Sequence, residues 1–245
     1  MKILIVFSIF ISSFTVLAQL PSGEEILDKI DQNLSSESRI FTSKMIIHGR
    51  RGSRTVESKT WAIGEIKSFT EYLSPAREKG TKMLKLEDQL WMYSPSTDRI
   101  IQISGHMLRQ SVMGSDLSYE DMMDDKKMSQ HYNAVVIATD TLNNIQCWIL
   151  ELQAKSKDIA YEMRKLWVDQ AKYLPLREEL YAKSGKLLKR MELSDITKTD
   201  GRWFPKHMLF KDMLKEGGGT EFIIDDIQFD VDIPEYRFTK ASLKR

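Results

Sequence analysis

Apolar residues recur at every second position over most of this chain, and short polar turns break the runs. That period puts one face of each run on a core and the other towards water, the mark of a β-strand. FTSKMIIHGRRGSRTVESKTWAIGEIKSFTEYL reads as strand, turn, strand, strand, with the first turn at 49–53. Further strands are predicted over 81–86, 89–93 and 100–103, the last two flanking the Pro/Ser/Asp turn 94–98. The second half repeats the habit at 134–138, 145–152, 160–168, 174–181, 187–196, 201–214 and 220–231. Asn143-Asn144, 183–186 and 217–219 are its turns. No strand–helix–strand rhythm appears, so the sheet should be antiparallel.

Two stretches leave this pattern. Over 22–34 the apolar residues Ile26, Leu27, Ile30 and Leu34 share one helical face, and Ser22 with Glu25 spells a capping box. Over 105–132 the alternation stops, and one or two short helices are expected between the sheet halves. Ser115 and Asp116 are expected to cap a helix starting near Leu117. Its Tyr119, Met122 and Met123 would face inward, leaving Glu120, Asp121, Asp124 and Asp125 wet. An antiparallel sheet of about a dozen strands curls or closes rather than lying flat. The fold expected is therefore mainly β: a strongly curved antiparallel sheet, an incomplete barrel, with a few helices plugging its concave face.

The N-terminus changes the compartment. Lys2, an apolar run to Leu17, and Val16 and Ala18 before Gln19 read as a cleavable signal peptide over 1–18. An uncleaved N-terminal anchor is the other reading. Residues 19–245 then form a single exported domain without a lipid anchor, since no cysteine stands near the cut. Cys147 is the only cysteine, so no intrachain disulfide forms, and its run IQCWILEL suits a buried, inert thiol. Lys and Arg number 36 against 35 Asp and Glu, and losing Lys2 leaves 35 of each. A balanced charge gives no electrostatic footing for nucleic acid.

Catalytic and metal chemistry find little to stand on. His48, His106, His131 and His207 sit in no H-E-x-x-H or H-x-H context, so no metal and no cofactor are expected. Gly114-Ser115-Asp116 lacks the glycine spacing of a nucleophile elbow, and Gly217 to Gly219 is followed by no Lys-Ser/Thr. The acidic group at 120–125 lacks an EF-hand's alternation. A catalytic role would require Ser115, Asp116 and His106 to converge in a pocket.

The methionines say more. Of 13, seven crowd between 83 and 128: Met83, Met92, Met107, Met113, Met122, Met123 and Met128. Soft, unbranched side chains suit either an irregular core or an adaptable pocket wall. The wall is expected to comprise Trp61, Met83, Trp91, Met92, Tyr93, Ile103, Met107, Met113, Met208 and Phe210.

Four blocks carry a family likeness: PAREKGTKMLKLEDQLWMYSPSTDRIIQIS (75–104), SVMGSDLSYEDM (111–122), VDQAKYLPLREELYAKSGKLLKRMELSDI (168–196) and GRWFPKHMLFKD (201–212). Through them the chain resembles the LolA-like outer-membrane lipoprotein-sorting proteins. The resemblance implies a curved sheet with an apolar concave face under a helical lid, and a periplasmic protein that holds acyl chains of lipoproteins or lipids. It also implies a lid-holding arginine, for which Arg39, Arg77 and Arg109 are candidates. The function expected is a monomeric, non-catalytic periplasmic carrier handing its load towards the outer membrane. An inner-membrane transporter and an outer-membrane acceptor would be its partners. The alternative is an envelope accessory protein docking onto a transporter or assembly complex.

Overall fold

The computed structural model describes residues 20–124, 127–157 and 159–245. The expected signal segment and Asp125 lie outside the described residues.

The strands follow the alternation closely. One meander comprises β1 (Ser38–Gly49), β2 (Gly52–Ile63), β3 (Lys67–Ser74), β4 (Lys82–Leu86), β5 (Gln89–Ser94) and β6 (Arg99–Ile103). A second comprises β7 (Tyr132–Leu142), β8 (Ile145–Ala154), β9 (Met163–Asp169), β10 (Pro175–Tyr181), β11 (Leu187–Thr199), β12 (Arg202–Asp212) and β13 (Gly219–Phe229). They join through antiparallel β1 and β13 into one 13-stranded sheet of order β6-β5-β4-β3-β2-β1-β13-β12-β11-β10-β9-β8-β7. The sheet is mainly antiparallel β, curved and not closed into a barrel. Asn143 and Asn144 both take positive φ in the β7–β8 turn, as a tight hairpin demands.

This order dictates the lid. The chain leaves β6 at one edge and re-enters β7 at the other, so residues 104–131 must cross the molecule. Edges of a flat 13-stranded sheet would stand about 58 Å apart at the usual strand spacing. Curling shortens that crossing, and the connection lies over the concave face. It is built from two 3-10 turns, Gly105–Arg109 and Val112–Gly114, and two short helices, α2 (Tyr119–Met123) and α3 (Met128–His131).

The longer helix, α1 (Gly23–Leu34), fills the other half of that face. Ile26, Leu27 and Ile30 are buried against Tyr132, Ala134, Leu150, Leu152, Leu166 and Val168. Gly23 permits this fit, because a Cβ there would stand 2.4 Å from the Ala134 carbonyl oxygen. Ser22 is the N-cap, yet its side chain makes no capping bond, so the expected Ser22–Glu25 box does not form. Asp31 of α1 accepts the N–H groups of Met128 (3.0 Å) and Ser129 (2.9 Å), fastening the helix to α3.

The opposite face carries its own cover. Ile233, Phe238 and Leu243 from the C-terminal segment are buried on Phe69, Leu84 and Trp91. The Arg237 guanidinium sits 3.9 Å from the Trp61 ring centre, and the Lys240 ammonium 4.2 Å from that of Trp91. Cys147 is fully buried on β8, where burial pushes its thiol up.

Candidate functional site

The lid is pinned at three places. Asp116, buried, accepts the Asp212 N–H at 2.9 Å and the Thr220 hydroxyl at 2.8 Å. These bonds anchor its first half to β12 and β13. Lys215 adds bonds to the Ser111 hydroxyl (2.5 Å) and the Ser115 carbonyl (2.9 Å).

The second pin is the start of α2. Ser118 accepts the Asp121 N–H, and Asp121 accepts the Ser118 N–H at 2.6 Å. This closed capping box replaces the cap expected from Ser115 and Asp116, whose polar groups are engaged elsewhere. Asp121 also accepts the Tyr161 hydroxyl (2.5 Å) and the Lys189 ammonium. Burial pushes its carboxyl up, but Lys189, the Ser118 N–H and Tyr161 outweigh that and hold it below its ordinary value.

The third pin is Arg164 on β9. One side of its guanidinium meets Asp124, just beyond α2, and the other donates to Glu178 of β10 at 2.9 Å. It stacks over Tyr132 at 4.7 Å and lies 5.7 Å from the Tyr161 ring centre. Arg164 and Glu178 are both buried. Burial pushes the Glu178 carboxyl up, against the pull of Arg164. Asp121 and Asp124 are thus fasteners rather than a wet helix face. Arg164 sits beneath the lid in an ion pair with it. Arg77 is exposed beside Glu78, and Arg109 lines the outer groove described below.

Under the lid lies an apolar cavity of about 220 Å³. The lid contributes Val112, Leu117 and Met122 to its walls. The sheet contributes Met45, Val56 and Tyr72 at one end, Met208, Phe210 and Phe222 at one side, and Phe41, Thr60 and Arg39 towards the other end. A larger groove of about 720 Å³ runs along the outer side of the lid. Lys189, Lys215, Asp116 and Asp212 line it, so it offers an alkyl chain no dry surface.

The ten residues expected at the pocket divide by strand parity. Met208 and Phe210 line the cavity. Met83, Met92 and Ile103 of the sheet and Met107 and Met113 of the lid itself pack in the cluster where lid and sheet meet, around Tyr72, Val56 and Val112 of the cavity wall. Trp61, Trp91 and Tyr93 lie on the opposite face, under the C-terminal segment. Pairing Leu84 with Trp91 and Met83 with Met92 puts the two sets on opposite sides of β4 and β5. Both faces there are apolar, so alternation alone does not say which points inward. Residues missed by sequence reading are the lid pins Arg164, Glu178 and Lys189, the polar wall Ser58, Thr60 and Thr70, and much of the apolar wall, Phe41, Met45, Val56, Tyr72 and Phe222 among it. Ser118-Tyr119-Glu120-Asp121 was a legible box, whereas Arg164 and Glu178 stand out only as charges in apolar strands.

Ser115, Asp116 and His106 do not converge. Ser115 is fully buried with its hydroxyl directed at the Leu117 carbonyl, Asp116 is pinned to β12 and β13, and His106 is exposed. On the face away from the lid, Glu221 bridges His48 (2.5 Å) and His207 (2.7 Å).

Three comparisons place this architecture. A family model described as uncharacterized protein-like matches residues 64–245. No curated protein matches the chain. A domain named for outer membrane lipoprotein sorting, from Vibrio parahaemolyticus, is 26% identical with a TM-score of 0.80, over 91% of this chain and 98% of that one. A DUF1329 family protein from Desulfovibrio piger is 26% identical with a TM-score of 0.82, over 90% and 97%. A LolA superfamily protein from Nitrosomonas europaea shares the fold at 22% identity, with a TM-score of 0.76, over 91% and 100%. The chain belongs to the family of the matching model, and its fold is similar to those of the lipoprotein-sorting domain and the LolA superfamily protein.

Proposed function

We propose that this protein is a non-catalytic periplasmic carrier that shelters an acyl chain of a lipoprotein or lipid beneath its lid. One observation carries the reading: an apolar cavity closed by a segment that is fastened through polar bonds at its rim. The lipoprotein-sorting name of the Vibrio parahaemolyticus relative supports it. No helix among the described residues is long and apolar enough to cross a membrane. With residues 1–18 acting as a signal peptide, residues 19–245 work as one domain in the periplasm.

The energetics require hand-off without release. Each buried methylene contributes about 0.8 kcal/mol, so a chain of about 15 holds roughly 12 kcal/mol against water. A load bound that firmly moves only from one apolar site to another. The closed cavity, about 220 Å³, is smaller than the roughly 300–1,000 Å³ of a usual ligand pocket. The lid therefore lifts to admit a full chain, and the Met-rich wall repacks around it. Edge strand β7, with Val135 61% and Ile137 48% exposed, provides a place for a transporter or acceptor to pair during transfer.

Native mass spectrometry of residues 19–245 purified from their own envelope, with lipid extraction, tests the reading. A one-to-one acyl-containing adduct is expected, and Met122→Asp should abolish it by placing a charge in the wall. A bare protein that also takes up no added fatty acid or lipopeptide would overturn the carrier.

A further inference from the structure

The cavity is chemically graded along its length. Strand pairing sets cross-strand rows on the lid face. Arg39, Ala62 and Ser68 form the first, and Phe41, Thr60 and Thr70 the second. Ser43, Ser58 and Tyr72 form the third, and Met45 and Val56 the fourth. The wall thus passes from a guanidinium, through the hydroxyl pairs Thr60–Thr70 and Ser43–Ser58 (each 3.0 Å), to thioether and alkyl groups.

Arg39 is the one charged residue among the described residues lining the cavity. It also lines the adjoining charged recess, together with Asp31, Asp124, Arg164 and Glu178. Those four are committed: Asp31 to the α3 backbone, and Asp124 and Glu178 to Arg164. Lys85 continues the first row beyond Ser68 and is buried, with its ammonium 3.1 Å from the Met123 carbonyl. Arg39 therefore marks the charged end of the cavity, with Lys85 beyond the wall on the same row. A wholly apolar cargo gains nothing from that gradient. An amphiphile gains at both ends.

We propose that the cavity selects a single-chain lipid with an anionic head, its tail towards Met45, Val56 and Tyr72 and its head on Arg39. This rests on the cavity being the acyl site and adds the class of cargo. A guanidinium forks onto two oxygens of a carboxylate or a phosphate, and in a dry site such a charge-assisted pair is strong. Arg39 already has a partner in this structure, so the head exchanges for that partner on binding.

Calorimetric titration of residues 19–245 with decanoate, decyl phosphate and decanol, each below its micellar concentration, tests this. At least one anion should bind about ten-fold more tightly than decanol, the size of one charge-assisted pair. The tighter anion names the head as carboxylate or phosphate. Arg39→Gln should bring that anion to within about two-fold of decanol while leaving decanol unchanged. Arg39→Lys, which keeps the charge but loses the fork, should retain part of the preference and guards against a folding defect. Equal binding of decanol and both anions to the parent protein, or a preference that survives Arg39→Gln, would overturn the anionic head while leaving the acyl cavity standing. Binding of none of the three to the folded protein would overturn both.

Discussion

At the scale of single residues, a buried charge cluster fastens the lid to the sheet. Arg164 and Glu178 are buried together, and Asp124 reaches them from the lid. A buried ion pair contributes little net stability, because both groups lose their water, but removing one partner strands the other. Arg164→Ala should therefore lower stability by about 3–5 kcal/mol, read as a fall in the urea midpoint without a change in slope. Replacing both partners, as Arg164→Met with Glu178→Leu, should recover most of that loss. Asp124 would still be freed, so amide exchange across 105–124 should quicken in the double variant even where its stability returns. Protection unchanged from the parent would mean that Arg164 supports the sheet alone and not the lid. Residue roles of this sort were the least legible part of the sequence. Ser118 and Asp121 spell a capping motif in adjacent text, but Arg164, Glu178 and Asp124 meet only through tertiary structure.

At the scale of elements, the lid behaves as a short helix whose first turn doubles as a latch. Asp121 caps α2 and binds Lys189 and Tyr161, which hold its carboxyl below the ordinary 3.8 despite burial. The folded form thus binds its proton less readily than the unfolded chain. The stability it contributes is complete above about pH 5 and is lost as pH falls through 4 and below. Glu178 has the opposite sign: burial raises its carboxyl above 4.5, so folding favours its protonated form and its contribution declines as pH rises past that value. The two slopes oppose each other, and only a difference separates them. The gap in urea midpoint between the parent protein and Asp121→Asn should be widest at pH 6 and should narrow towards pH 3. A constant gap would show that the latch works through packing and not charge. Element existence was largely readable, because each strand ends at a turn of recognisable chemistry. Strand parity was not. On β4 and β5 both faces are apolar, since the lid cluster covers Met83 and Met92 while the C-terminal segment covers Leu84 and Trp91. Only the presence of that second cover explains why Trp61 and Trp91 point away from the cavity, and it is legible solely as the spaced apolar residues Val231, Ile233, Phe238 and Leu243.

At the scale of the molecule, one curved sheet separates two covers with different duties. Short turns made the meanders readable, but the joining of β1 to β13 was not, and it is this joint that sends the chain from edge to edge beneath which the cavity forms. The lid is fastened by ion pairs and hydrogen bonds at its rim, besides the apolar packing of Val112 and Tyr119, over a cavity with room to change. The C-terminal segment is held by filled packing: Leu243 is fully buried, Phe238 and Ile233 nearly so, with Ser38 bonded to the Val231 carbonyl at 2.5 Å. A cover that must open is better fastened by polar contacts, which water can replace, than by apolar area, which it cannot. Leu243→Asp tests the division. It should cost about 2–3 kcal/mol, the transfer free energy of a buried leucine, and should shift tryptophan emission to longer wavelength as Trp91 meets water. Uptake of an acyl chain by the variant, measured where it remains folded, should match that of the parent. Met122→Asp should do the reverse, abolishing uptake with no shift of the tryptophans. If Leu243→Asp instead abolished uptake in the folded protein, the two covers would be coupled through the sheet, and the C-terminal segment would belong to the loading machinery rather than to the scaffold.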